Sequence, residues 1–338
     1  MIREELKRYR LSPQQEYLWL SQQGSDTSFY VQCAILIEGG LDIGRLKSAA
    51  EVLVARHEIL RTAFRRVPET DAPFQFVGVE TGPSWHVEDW SGRDTSAQQD
   101  ALRRWLEEGR TERFDYERGT LPPLKLAKLE EGTHVLVLRL PALCVDSRGA
   151  AILANDLARA YESPYGGVEH DEERLQYGTV AEWLHQLLTS EESEAGRAYW
   201  LGRRDAGGAE TRLGFEKRPG DANIFSSRSV SVTVEQPLAS QLEAAARAHG
   251  AAHASLLLSC WVLLLWRLSG QAELSVGFSC DGRSVEELCE APGLLSRSLP
   301  LTLQPRPGWS FAQQLSHVSE QAAEAEAWQE RHRDCRGL

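Results

Sequence analysis

One stretch constrains the fold more than any other: THVLVLRLPALCVDSRGAAILANDLARAY, at residues 133–161. Its apolar run predicts a buried strand, the proline-containing segment at 141–146 predicts a tight turn, and the spacing of Leu and Ala afterwards predicts a helix. Strand-turn-helix junctions hold reacting groups in many α/β enzymes. This turn contains no histidine. It therefore lies where an active site is expected but lacks the side chain that most often transfers protons there.

Length and pattern together indicate two lobes. A single hydrophobic core stops growing at roughly 250 to 300 residues, and this chain has 338. Strand and helix patterns follow a similar order in both halves. We therefore predict a mixed α/β fold with lobes at 1–176 and 177–338 and a Gly-rich, charged linker at 206–223.

The individual elements follow from periodicity and turn chemistry. Ser12 is expected to cap a first helix, with Glu16 within capping-box reach and Gly24 at its end. The remaining predicted helices cover 41–64, 97–113, 238–249 and 254–268, with a long helical stretch around Trp183, Leu187, Tyr199 and Trp200, and the predicted strands cover 29–39, 74–79, two arms within 121–140, 226–234 and 272–280.

Charge and cysteine content limit the class of protein. A formal net charge of -12 disfavours a phosphate backbone as partner, so we expect no nucleic-acid binding. The amino terminus has no apolar run, and Ser259 and Arg267 interrupt the apolar segment 255–270, which predicts a buried core helix and no membrane span. The six cysteines form no CxxC pair, which disfavours zinc or a disulfide framework and indicates a reducing, cytoplasmic setting.

Several residues could carry chemistry or could merely stabilise the fold. His57, in RHEILRTAF, could act as a general base, although no nucleophile lies near it in sequence and the charged residues around it can equally fix a helix end. Cys144 could be a nucleophile or a small buried apolar group. Ser147 could be a nucleophile or a helix cap, and Asp146 could be a cap or the carboxylate gripped by Arg61.

Taken together, the motifs resemble the condensation-domain superfamily of nonribosomal peptide synthetases, which shares its fold with chloramphenicol acetyltransferase-like acyltransferases. The matching segments occur in family order and cover nearly the whole chain. They are LSPQQEYLWL, RHEILRTAF, LPALCVDSRG, YGTVAEW with AYW, and SLLLSCWVLLLWRLSGQAELSVGFSCDGR with GLLSRSLPL. The resemblance implies a two-lobed α/β acyltransferase-like fold whose second lobe is short at its carboxy end.

The third motif departs from the family in the residues that matter for catalysis. The family carries HHxxxDG, and alignment on Asp146 places Pro141 and Ala142 at the two histidines and Ser147 at the glycine. Neither Pro nor Ala can exchange a side-chain proton, which excludes general-base catalysis from this position. The resemblance implies that Asp146 and Arg61 keep a structural ion pair, and that His57, Tyr177, Trp183, Ser296 and Arg297 lie near the tunnel or the motifs.

Two functions follow as expectations from this resemblance. The first is a non-catalytic module of an assembly line that docks, recruits or gates carrier proteins, neighbouring synthetase domains or a trans-acting enzyme. The alternative is an atypical condensation or starter acyltransferase that forms an amide or ester bond by positioning alone, since alignment of reactants can supply several kcal/mol, on the order of 7 to 11 in favourable cases. In either case no cofactor is bound directly, substrates arrive on the phosphopantetheine of carrier proteins, and no metal is expected.

Overall fold

A computed structural model describes residues 7–22, 28–68, 72–78, 82–109, 113–163, 174–205, 211–216 and 230–332. These residues form two compact units. The first unit extends to Gln186 and also includes Arg283–Ser296, and the second comprises Leu187–Gly282 and Arg297–Arg333. The lobe boundary that the sequence suggests after residue 176 stays a prediction.

The mixed α/β composition expected from the sequence is present. The strands in the described residues are β1 (Lys7–Arg10), β2 (Tyr30–Glu38), β3 (Thr62–Arg66), β4 (Pro73–Val77), β5 (Trp85–Asp89), β6 (Leu124–Glu130), β7 (Thr133–Pro141), β8 (Leu274–Cys280) and β9 (Arg297–Leu303). The α-helices are α1 (Pro13–Gln22), α2 (Ile43–Arg56), α3 (Thr95–Glu108), α4 (Ser147–Glu162), α5 (Tyr177–Thr189), α6 (Glu194–Asp205), α7 (Gln236–Ala248), α8 (His253–Ser269) and α9 (Phe311–Ala327).

The central sheet of the first unit has the strand order β2-β7-β6-β5. β7 pairs antiparallel with both β2 and β6, and β5 joins β6 in parallel. The hairpin between β6 and β7 turns at Gly132, whose φ of 75° lies in the left-handed region that favours glycine. A smaller sheet with the order β1-β4-β3 completes the unit.

β7 is the core strand of this unit because both of its faces are covered. Leu136, Leu138 and Leu140 point into the main core, which α2 and α4 complete on one side of the sheet. Val135 and Val137 point to the other side, into a second cluster with Trp90 and Trp105. A strand buried on both faces is apolar along its whole length, which explains the continuous VLVL run. Because β7 is held on both faces, it also fixes the position of the following turn, 141–146.

The second unit is built on the antiparallel pair β8-β9, in which Leu274 lies opposite Leu303 and Cys280 opposite Arg297. Its core is an apolar cluster contributed by both strands and by α6, α8 and α9. α9 begins with a complete capping box between Ser310 and Gln313, and no helix was expected there from the sequence.

Two local predictions in the first half need correction, and a third falls outside the described residues. The helix expected over 41–64 ends at Arg56, and Thr62 already begins β3, since the charged RHE step is followed by β-forming residues that pair with β4. The first capping box uses Gln15 in place of Glu16: the Ser12 amide donates to Gln15 Oε1, and the Gln15 amide donates to Ser12 Oγ. Gly24 lies outside the described residues.

Two predictions in the second half also need correction. Of the strand expected over 226–234, residues 230–234 are described and belong to no strand. α8 is not a fully buried core helix, because Leu257, Trp261, Leu264 and Leu268 are each about half exposed. Among the described helices none is by itself long and apolar enough to cross a membrane; α7 and α8 reach that measure only as a pair bent by 101°.

Candidate functional site

The turn at 141–146 is fixed by backbone hydrogen bonds on both sides. Pro141 is the last residue of β7 and pairs with Tyr30 of β2, and the Ala142 amide donates to the Phe29 carbonyl at 3.0 Å. The Cys144 amide donates back to the Pro141 carbonyl at 2.8 Å, which closes the turn. The turn therefore has one geometry, set by main-chain groups that do not depend on its side chains.

The carboxylate of Asp146 is the best-bonded group of the site. Its Oδ1 accepts from the Gly149 amide at 2.7 Å, which caps α4 at its amino end. Its Oδ2 accepts from the amides of Leu295 and Ser296 at 2.9 and 2.8 Å. Arg283 adds a bidentate pair at 3.0 and 3.1 Å. Five donors occupy a carboxylate that has about four lone-pair positions, so Asp146 has no acceptor capacity left for a substrate proton.

The partner of Asp146 is Arg283, so the expected pair between Asp146 and Arg61 is wrong. Arg61 lies at the end of the short 3-10 turn Glu58–Arg61, and its nearest acidic partner is Glu58, at 4.0 Å. Arg61 and Glu58 are three residues apart, so the 3-10 turn places their side chains next to each other. Arg283 comes from the segment that returns to the first unit and lies with its side chain buried against Asp146.

Two glycines allow that returning segment to approach the turn. A Cβ at Gly149 would lie 3.0 Å from the Gly293 amide nitrogen, and the Gly293 carbonyl accepts from the Asp146 amide at 3.0 Å. On its other side, Gly293 packs against the ring of Tyr177. The Tyr177 hydroxyl donates to the Leu294 carbonyl at 2.6 Å and shares a hydrogen bond of 2.8 Å with Ser12 Oγ. Tyr177 thus ties the returning segment to the start of α1.

His57 has a structural role in this arrangement. Its Nε2 lies 2.8 Å from Asp156 Oδ2 on α4, and both side chains are almost completely buried. Arg174 donates to the same oxygen at 2.7 Å. Burial alone would raise the pKa of Asp156, but the hydrogen bond from His57 and the charge of Arg174 outweigh it and lower the pKa. The buried charge is therefore compensated, and it fastens the end of α2 to α4.

The side chains of the turn offer no group suited to proton transfer. Burial raises the pKa of the Cys144 thiol to about 12, which favours the protonated thiol over the nucleophilic thiolate near neutral pH. Ser147 is exposed as the first residue of α4, where the cap itself is Asp146. Ala142 is partly exposed and carries only a methyl group.

The other residues expected near the site fall in different places. Trp183 lies on α5 and packs at the margin of the main core of the first unit. Ser296 donates its amide to Asp146, so it belongs to the site through its backbone. Arg297 is the first residue of β9 in the second unit, where its guanidinium bonds the Gln329 carbonyl.

A small open recess lies beside the turn, within the first unit. Its lining includes Pro141, Cys144, Phe64, Phe114 and Tyr116. The space inside it is about the size of one water molecule. The recess is therefore too small to hold an acyl substrate in this conformation. Within the ranges given above, no group of three or more His, Cys, Asp or Glu side chains could hold a metal ion.

Sequence reasoning missed Arg283, Gly149 and Gly293. In the sequence Arg283 indicates only a DGR turn. The glycines gave a weaker signal, since a close approach between distant segments is invisible in one sequence. Asp156 was missed because it looks like an ordinary polar residue of a helix.

An acidic residue that caps the helix after the central strand, with a returning segment clamped on it, is the central feature of this mixed α/β fold. Residues 5–331 match the condensation domain family, and the chain belongs to that family. Tyrocidine synthase 3 of Brevibacillus parabrevis is 28% identical over 320 residues, which cover 94% of this chain and 5% of that protein. Bacitracin synthase 1 of Bacillus licheniformis is 24% identical over 319 residues, which cover 94% of this chain and 6% of that protein. The chain thus spans only a small part of the length of these relatives.

Solved structures agree with the assignment of the fold. The first condensation domain of the calcium-dependent antibiotic synthetase, solved with a substrate analogue, aligns with a TM-score of 0.82 at 24% identity. The alignment covers 96% of this chain and 75% of that one. The X-domain of teicoplanin biosynthesis, solved in complex with OxyB, aligns with a TM-score of 0.75 at 23% identity, covering 96% of this chain and 71% of that one. The predicted condensation-domain fold is confirmed.

Proposed function

We propose that this condensation domain serves a peptide assembly line as a non-catalytic module that docks, recruits or gates carrier proteins or a trans-acting partner. The observation that carries the proposal is the turn at 141–146, which keeps its geometry but presents Pro141 and Ala142 where the family presents histidines. The turn keeps its bracing and has no group that can take the proton of an attacking amine.

The hydrogen bonding of Asp146 and the burial of Cys144 support a non-catalytic role. Asp146 is saturated by five donors, and the thiol of Cys144 is buried with a raised pKa. A general base usually contributes about 10²- to 10⁴-fold to a rate. A chain that lacks one at the reacting position would be a poor condensation catalyst, whereas a docking role requires only the intact frame.

The similarity to a domain solved with a partner protein gives a precedent for such a role. The X-domain that shares this fold was captured in complex with OxyB. By analogy, the present chain would hold a trans-acting enzyme or a carrier domain in place while chemistry proceeds elsewhere. Its substrates would be attached to the phosphopantetheine of carrier proteins, and the chain itself would bind no cofactor.

The alternative is an atypical condensation or starter acyltransferase that works by positioning. The apolar recess beside Pro141 is the feature that would accommodate this chemistry, with an acyl chain lodged between Phe64 and Phe114. The recess has room for about one water molecule, so its lining would have to move apart to admit such a chain. This alternative predicts turnover that depends on the recess lining.

The two functions are separated by measuring binding and turnover on the same preparations. The chain is incubated with acyl-loaded donor and aminoacyl-loaded acceptor carrier domains, and product is followed by mass spectrometry while carrier binding is measured by calorimetry. We expect binding without condensation above the rate of the carriers alone. Condensation that is lost in Phe64→Trp, which fills the recess, would overturn the proposal in favour of the acyltransferase.

A matched variant controls for damage to the fold. Phe76→Trp changes a half-buried phenylalanine of β4 that does not line the recess. It should leave both binding and any turnover unchanged. Absence of binding to every carrier and partner offered, in a chain that unfolds cooperatively, would contradict the docking role.

A further inference from the structure

The small sheet β1-β4-β3 of the first unit has an unusual charge. Its strands KRYR, PFQFV and TAFRR contain five Lys or Arg residues and no Asp or Glu. In the whole chain, Asp and Glu outnumber Lys and Arg by 49 to 37. The sheet is therefore a cationic area on a protein that is otherwise acidic, and its charges are carried by neighbouring strands of fixed register.

Part of this charge is gathered on one face of the sheet. Gln75 points to the opposite face and is 1% exposed, so that face is covered. Arg10, Phe74 and Arg65 lie directly opposite one another across the three strands, which places them together on the outer face. Arg8 shares this face because it lies two residues before Arg10. We call Arg8, Arg10, Arg65 and Phe74 the arginine face.

Two cations of the arginine face are held by neutral groups. The guanidinium carbon of the exposed Arg8 lies 4.9 Å from the centroid of the Phe74 ring. Arg65 Nε donates to the Glu117 carbonyl at 2.6 Å. In the described part of the chain, neither arginine forms an ion pair with a carboxylate. Both keep their full charge, and a guanidinium already held in place loses little conformational freedom when it binds an anion.

Arg10 shows which ligand suits this face. Its Nη2 and Nε donate to one oxygen of the Glu182 carboxylate, at 2.6 and 3.1 Å. Arg8 and Arg65 stand on the two outer strands, roughly 10 Å apart at ~4.8 Å per strand. Two carboxylates two turns apart on a helix are also separated by about 10 Å. A helix with acidic residues along one side therefore matches both the charge and the spacing of Arg8 and Arg65.

We propose that the arginine face docks an acidic helix of a partner protein, with carboxylates two turns apart that pair with Arg8 and Arg65. The inference rests on the docking function proposed above and identifies the surface that the partner meets. A second copy that met this face with its own would bring like charges together, which disfavours a symmetric dimer here. The net charge of -12 opposes a long polyanion, which would extend beyond this small face.

The test uses a labelled, Ala-rich helical peptide with glutamates at positions i and i+7, and fluorescence anisotropy with the full chain at physiological salt. A second peptide carries glutamines at these positions, and a third keeps both glutamates but on opposite sides of the helix. We expect the one-sided acidic peptide to bind, and the other two to bind at least about threefold more weakly. The third peptide separates spacing from charge alone.

Variants of the face identify the residues that bind the peptide. Arg8→Gln and Arg65→Gln should each weaken binding about threefold, and the double variant about tenfold, as expected for exposed ion pairs. Arg104→Gln changes an exposed arginine of α3 and should leave binding unchanged. Equal binding of the acidic and glutamine peptides would overturn the proposal. So would a double variant that binds as tightly as wild type, or a dimer of the chain that Arg8→Gln dissociates.

Carrier domains distinguish a failure of this inference from a failure of the docking function. Carriers that bind the wild-type chain and the double variant equally well would overturn the arginine face as their docking surface, while the docking function would stand. If no carrier or partner binds, but the acidic peptide binds and the double variant weakens it, the arginine face is supported and the docking function is wrong. Carrier binding that falls about tenfold in the double variant would support both.

Discussion

Asp146 and Arg283 are 137 positions apart in sequence and form a bidentate ion pair at 3.0 and 3.1 Å. Their side chains are only 4% and 1% exposed. A buried charge of this kind is tolerated because each oxygen of Asp146 also accepts main-chain amides. The pair fastens the returning segment to the end of the turn at 141–146.

Removing the arginine tests how much this pair contributes. Arg283→Ala leaves a buried carboxylate without its cation and should lower the free energy of unfolding by about 3 to 5 kcal/mol in urea denaturation. Arg61→Ala is the matched control, since Arg61 is partly exposed and lies 4.0 Å from Glu58. It should cost less than about 1 kcal/mol. Equal losses in the two variants would show that the assignment of the pair is wrong.

The close approach at Gly293 predicts a steric effect. Gly293→Ala places a methyl group against the ring of Tyr177, which is fully buried and cannot move aside. The variant should lose about 1 to 3 kcal/mol of unfolding free energy, the usual cost of overpacking. Gly92→Ala, in a turn where an added Cβ meets no atom within 4 Å, serves as the control and should change stability little. Thermal unfolding of both variants provides the comparison.

The buried Asp156 predicts a pH dependence of stability. Its pKa is lowered because the bond from His57 and the charge of Arg174 outweigh the effect of burial. Its contribution is therefore complete above the ordinary value of 3.8 and is lost as pH falls through the lowered pKa. Asp156→Asn should cost about 3 kcal/mol at neutral pH. The gap to wild type in denaturant midpoints should close under acid conditions, and a gap that stays constant with pH would contradict this.

His332, in the second unit, predicts a loss of stability at higher pH than that expected for Asp156. Burial, with a smaller effect of Arg297, lowers the pKa of His332 to about 4. The unfolded imidazole binds a proton near 6.5, so protonation favours unfolding between about pH 4 and 6.5, and stability rises with pH across that range. The difference amounts to about 3 kcal/mol. His332→Phe, which keeps a ring beside Trp200, should flatten the profile; an unchanged slope would mean that another group titrates.

Restoring the missing base tests whether the site is only chemically silent. Ala142 is partly exposed, and the turn around it is held by Asp146 and Arg283. Ala142→His should therefore fold normally and raise carrier-dependent condensation above the wild-type background, by less than the 10²- to 10⁴-fold of a fully placed base. Ala142→Gln, which has similar size but no basic nitrogen, should show no gain. If carriers bind Ala142→His but no product forms, then something other than the missing imidazole prevents condensation.

Sequence patterns determined the elements and the fold family of this protein. The VLVL run of β7 and the Leu spacing of α4 reflect burial on particular faces, which is local information that periodicity records. That Pro141 and Ala142 offer no side-chain proton donor or acceptor could also be read directly, because this property does not depend on folding. The helix expected to run through 57–64 failed where pairing of β3 with β4 decided the conformation.

Only the tertiary structure decided which charged residues meet. The sequence offered Arg61 as the partner of Asp146, but chain reversal and the small size of Gly149 and Gly293 bring Arg283 to the turn. The position of β2 in its sheet is also a tertiary property, since strand order depends on how distant segments pair. Long-range contacts of this kind depend on how segments return to each other, and no local pattern encodes that path.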